Sequence, residues 1–117
     1  MTAGKIRIKR IYDPPADDDG QRILVDRIWP RGVKREEAHL TEWLKDIAPS
    51  TELRKWFAHD PARFAAFRSR YREELARNPE AVAALRAFVK RGAVTLLYAA
   101  RDEADNNAVV LAEYLEK

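Results

Sequence analysis

The chain opens on an alternation. In KIRIKRIY, residues 5–12, basic residues and isoleucines alternate through Ile8, the period-2 signature of a half-buried strand. Asp13-Pro14-Pro15-Ala16-Asp17-Asp18-Asp19-Gly20 then interrupts the pattern. Fixed proline φ, three mutually repelling aspartates and a closing glycine predict an exposed loop. The aspartates lack the alternating oxygens and distal Glu of a calcium loop, so no metal is expected there. Arg22-Ile23-Leu24-Val25-Asp26 reads as an interior strand, halted at Pro30 and Gly32. A turn of helix is expected around Lys34 to Ala38, and Leu40, Trp43, Leu44 and Ile47 then fall at helical spacing before Pro49.

The second half is more regular. Ser50 stands as an N-cap, with Glu52 in the first turn of a helix running to about Phe57. Asp60-Pro61 and Asn78-Pro79 repeat a cap followed by proline at the first helical position. The helices they open carry Phe64, Phe67, Tyr71 and Leu75, then Val82, Leu85, Phe88 and Val89, on single faces, and Gly92 ends the second. Ala93 to Ala100 (AVTLLYAA) has no charge and predicts a strand covered on both faces. A polar stretch leads from Arg101 into a last helix with Val109, Leu111, Ala112 and Leu115. Helix, glycine, buried strand, helix is α/β grammar: one compact domain over residues 1–117, with a small, mostly parallel sheet flanked by helices.

Composition narrows the function classes. The 117 residues hold 22 Lys+Arg and 19 Asp+Glu, a net charge of +3, and 46% are hydrophobic. That apolar share belongs to a folded domain, expected to have a radius of gyration of about 13–14 Å. No apolar run is long enough to span a bilayer, and MTAGKIRIKR lacks the apolar core of a secretory signal. A cytoplasmic protein without membrane association is the expectation. The absence of cysteine excludes disulfides and thiolate chemistry. Two histidines make a zinc site improbable, and four unclustered glycines offer no phosphate-cradling loop, so no cofactor is expected. A pI of about 9.3 suggests nucleic acid, yet acids interleave with bases in Arg35-Glu36-Glu37, Arg72-Glu73-Glu74 and Arg101-Asp102-Glu103. A solvated surface of mixed sign is therefore favoured over a polyanion-binding face.

Candidate chemistry sits where the two interior strands end. The first finishes in Asp26, Arg27, Trp29, Arg31 and Gly32, the second in Arg101, Asp102, Asn106 and Asn107. If the strands are parallel neighbours, both clusters share the crevice where α/β sheets bind ligands. Arginine forks suit carboxylate or phosphate, and side-chain amides suit a base edge or sugar hydroxyl. One of the two asparagines is needed as an N-cap; the second is surplus. Ser50, Arg54, Trp56, His59 and Asp60 form a further cluster, in which His59 is the one acid–base candidate near neutral pH. Asp26 and Asp102 are the candidates to position or deprotonate a group. A triad of Ser50, His59 and Asp26 lacks a nucleophile elbow. Trp29 lies in a loop, whereas Trp43 and Phe57 fit core-facing stripes. A small anionic ligand, such as a nucleotide or phosphorylated metabolite, is the expected partner. A nucleic-acid module or a non-catalytic interaction protein is the alternative.

Taken together, ILVDRIWPRGVKREEA, WLKDIAPSTELRKWFAHDPARFAAFRSRYREEL and LLYAARDEADNNAVVLAEYL resemble the YeaO-like branch of domain-of-unknown-function family 488. The resemblance spans nearly the whole chain and implies a Rossmann-like α/β cytoplasmic domain with no settled activity. The family's characteristic positions correspond to Asp26, Arg27, Trp29, Pro30, Arg31 and Gly32; to Pro49, Ser50, Leu53, Arg54, Trp56, Phe57, His59 and Asp60; and to Asp102, Asn106 and Asn107. Related branches look to carry Cys-His-Arg before the last helix. This sequence has Asn106-Asn107-Ala108 there, so thiol or imidazole chemistry does not carry over.

Overall fold

The computed structural model describes residues 5–116; residues 1–4 and 117, the ends of the domain expected over 1–117, lie outside the described residues. Strands β1 (Ile6–Arg10), β2 (Gln21–Leu24), β3 (Glu42–Trp43) and β4 (Val94–Tyr98) form one sheet in the order β1-β4-β2-β3. Every pairing is parallel, with Ile6 opposite Val94, Leu24 opposite Leu97 and Leu24 opposite Trp43. The uncharged β4 lies between β1 and β2 and is buried along its whole length, as a parallel strand covered on both faces must be.

The two coverings are unequal. Helices α2 (Thr51–Phe57), α3 (Phe64–Ala76), α4 (Pro79–Arg91) and α5 (Asn107–Leu115) supply the larger core, packed on Ile23, Val25, Leu96 and Tyr98. The expected stripe of α3 (Phe64, Phe67, Tyr71, Leu75) is buried there. The opposite face, with Leu24 and Leu97, is covered by the short α1 (Arg35–Ala38) and by Trp29, Val33, Leu40 and Trp43. The radius of gyration is 13.5 Å.

Two expectations are corrected. Leu40 to Ile47 is not a helix: it passes through β3 and a 3-10 turn, Lys45–Ile47. Leu40 and Trp43 pack on the thinly covered face, Leu44 and Ile47 on the helical face. The apparent helical period is a chain crossing the sheet edge. The 13–20 loop is not wholly exposed either, because Asp19 is buried, and its carboxylate accepts from Lys9 Nζ at 3.1 Å and pairs with the equally buried Arg22. Gly20 completes this turn at φ 65°, where a Cβ would lie 2.6 Å from the Ala93 carbonyl oxygen. Only glycine fits.

Candidate functional site

Because β2 and β4 are parallel neighbours, their carboxyl ends lie side by side. The chain after β2 turns onto the thinly covered face, where Trp29 and Val33 pack. The chain after β4 turns the other way into α5, whose Ala108 and Leu111 join the helical core. The divergence opens a crevice of about 730 Å³, at the kind of switch point where open α/β sheets bind ligands. Residues 26–31 form one wall, and residues 99–102 with Asn106 and Asn107 form the other. Arg54, Phe57 and His59 close it from the helical side.

Asp26 ties these walls together. Its Oδ2 accepts from the Ala99 N–H at 2.9 Å, its Oδ1 from Asn107 Nδ2 at 3.1 Å, and its backbone oxygen from Trp43 Nε1 at 2.7 Å. Burial pushes the Asp26 carboxyl above its ordinary value; the bonds from Asn107 and Ala99, and the charges of His59 and Arg54, oppose that shift. The paired asparagines divide their work. Asn106 caps α5, accepting from the Val109 N–H at 3.0 Å, while Asn107 holds Asp26 and donates to the Val25 carbonyl at 3.2 Å. Asp102 is an acceptor for the Asp105 and Ala104 N–H groups, both at 2.9 Å, and these bonds hold its carboxyl below the usual range.

The arginines differ among themselves. Arg27 donates to the carbonyls of Pro49 and Ala48 at 3.2 and 3.1 Å, fixing the start of the α2 segment against the crevice. Arg31, Arg54 and Arg101 line the cavity, are exposed, and have no ion-pair partner among the described residues. His59 reaches the rim because Ala58 and His59 are both left-handed, at φ 47° and 56°. Such conformations cost about 1 kcal/mol each for non-glycine residues. Asp60 is a cap for the Ala62 N–H.

Ser50, Trp56, Asp60 and Gly32 fall outside the cavity lining. Ser50 accepts from the Leu53 N–H at 3.1 Å and donates to Glu74 Oε2 at 2.6 Å, so its hydroxyl is engaged in capping α2. Gly32 turns the loop at φ 78° beyond the crevice wall. Trp29 lines the wall but is anchored, with Nε1 donating to the Val33 carbonyl at 2.8 Å and its ring 5.4 Å from Trp43. Sequence reasoning did not single out Tyr12 or Ile28, both lining the cavity at 46% and 56% exposure. A large apolar residue between Arg27 and Trp29, in a loop with no partner stripe, was the available signal for Ile28.

The structure thus defines a small parallel-sheet α/β protein with an arginine-rimmed crevice at its strand ends. The family model described as "Inactive DUF488-N3 subclade" matches residues 5–117, and the chain belongs to that family. It is 47% identical over 110 residues to the uncharacterized protein YeaO of Escherichia coli, covering 94% of this chain and 96% of that one. Uncharacterized proteins of Mycobacterium tuberculosis and Mycobacterium bovis are also 47% identical, over 111 residues covering 95% of this chain and 93% of theirs. No solved structure matches.

Proposed function

We propose that the crevice binds a small organic anion, a nucleotide or another phosphorylated metabolite, without transforming it. The observation that carries this reading is the set of three arginines, Arg31, Arg54 and Arg101, converging on one concave site without acid partners among the described residues. Guanidinium groups at a concave site recognise phosphate or carboxylate through paired N–H donors, and α5 begins at the same wall.

Binding rather than turnover is favoured by the carboxylates. Both oxygens of Asp26 already accept protein donors, and the bonds to Asp102 disfavour its taking up a proton. His59 is left to contribute a rim contact to the anion. The word "inactive" in the family description agrees with this reading, as does Asn106-Asn107-Ala108 in place of Cys-His-Arg.

A thermal-shift series with inorganic phosphate, sugar phosphates and nucleoside phosphates tests it. A ligand held at about 100 times its Kd adds about 2.7 kcal/mol, a Tm rise of about 10 °C for a domain of this size. Arg31→Ala is expected to remove most of that rise. No stabilisation by any of these anions, with Arg31→Ala behaving like the parent, overturns the proposal.

A further inference from the structure

Among the described residues, the exposed large hydrophobic side chains are Tyr12 and Ile28, and both line the arginine-rimmed crevice. Isolated apolar exposure on a convex surface is ordinary, but two such residues in the one concave, cationic site point to a ligand surface. Tyr12 is also held in place. Its hydroxyl donates to the Arg31 carbonyl at 2.9 Å, and the Arg10 guanidinium covers its ring at 5.0 Å. Arg10 is itself fixed, with Nε donating to the Ala100 carbonyl at 2.9 Å. The ring is therefore a preorganised platform, buttressed by a cation and joined to the loop that carries Arg31. Ile28 stands on that same loop, three residues away.

We infer that the crevice selects anions bearing a flat aromatic ring, the ring resting on Tyr12 and Ile28 while the acidic group meets Arg31, Arg54 and Arg101. This inference rests on the anion-binding reading and narrows it: a pentose phosphate or free phosphate offers the charge without the ring. A hydrophilic anion would leave Ile28 and the Tyr12 platform without a role. A purely apolar ligand would leave three guanidinium groups unanswered. One molecule with both parts satisfies each wall.

The test is calorimetric titration of the full chain with adenosine 5′-monophosphate, phenyl phosphate, ribose 5-phosphate and inorganic phosphate. The two phosphates bearing an aromatic ring are expected to bind about ten-fold tighter than the two without one, the usual scale of one stacking contact. Ile28→Ser, a change at an exposed position, is expected to erase most of that ratio while ribose 5-phosphate binds as before. Tyr12→Phe, which keeps the ring and loses its anchor, should reduce the ratio less. Equal affinity for all four ligands, or a ratio untouched by Ile28→Ser, overturns ring selection and leaves anion binding standing. Binding by none of the four overturns both readings. If Ile28→Ser shifts only the oligomeric state in size-exclusion chromatography, the apolar pair belongs to a self-association surface and the inference is wrong.

Discussion

Two groups of charges lie on this sheet, and they are built on opposite terms. Beneath the 13–20 turn, Asp19 and Arg22 are buried, with side chains 5% and 6% exposed. Arg22 also donates from Nη2 to the Ala38 carbonyl at 3.0 Å, and Thr95 Oγ1 donates to the Asp19 carbonyl at 2.7 Å. Donors and acceptors meet inside the protein. At the carboxyl ends of the strands, Arg31, Arg54 and Arg101 have no such partners among the described residues. A buried charge left unpaired is costly, so it is paired. A cation with solvent access can stay free, and free cations gathered in a concavity are available to a ligand. The first group serves folding, and the second is the one on which the proposed anion binding rests.

The largest effect that sharpens this contrast is Arg22→Ala. It strips the buried Asp19 of one of its two cationic partners and leaves the Ala38 carbonyl without a side-chain donor. Removing one partner of a buried ion pair costs about 3–5 kcal/mol. Lys9 remains beside Asp19, so the lower end, about 3 kcal/mol in urea denaturation, is expected. A loss below about 1 kcal/mol would place the 13–20 cluster with exposed ion pairs and remove the contrast.

Neither member of that buried pair was legible as buried from sequence. Arg22 opens an otherwise apolar strand, and Asp19 closes a run of three aspartates that reads as solvent-exposed. Their burial depends on Gly20 at positive φ bringing the turn against Ala93, a three-dimensional approach with no local signature. Leu40 to Ile47 departs from its apparent helical period for a related reason. Spacing reports which residues share a helical face, but not that a segment changes faces of a sheet. What could be read was local or repetitive: the caps Ser50 and Asp60, a further cap at one of Asn106 and Asn107, the stripes of α3 and α4, and uncharged β4. The candidate crevice was legible as a conditional, because polar residues follow two apolar strands. The parallel adjacency of β2 and β4 supplied the condition. The surplus of Asn107 over a single cap also had a reason, its bond to Asp26.

Next in size is Asn107→Ala, which removes one hydrogen bond to Asp26 and one to the Val25 carbonyl. A loss of about 1–2 kcal/mol is expected. The two aspartates should also titrate on opposite sides of the ordinary value of 3.8. Burial raises Asp19, but the Ala16 N–H, Lys9 and Arg22 outweigh it and leave that group lowered. Its stabilising contribution is present above the unfolded value and is lost as pH falls through the folded one. For Asp26 burial prevails, so the fold disfavours its ionised form. The contribution of Asp26 therefore improves as pH falls through its raised value. Carboxyl-carbon NMR titration separates them: Asn107→Ala should move Asp26 further up and leave Asp19 in place. An unmoved Asp26 would show that the amide does not tune the crevice.

The smallest stability change is expected at Arg54→Ala, which makes it the sharper test of the second group. Arg54 is exposed, and its side chain has no ion pair among the described residues. Its removal should alter unfolding free energy by no more than about 0.5 kcal/mol. It does remove a charge that acts on Asp26, so the Asp26 carboxyl should titrate slightly higher. Stabilisation by a phosphate ligand should fall, since a charge-assisted contact contributes about 1.5–3 kcal/mol. Stability and binding would then separate in one substitution, as they cannot at Arg22. If Arg54→Ala instead destabilised the free protein by 2 kcal/mol or more, Arg54 would be a structural cation like Arg22, and the crevice would lose one of the three charges on which anion binding rests.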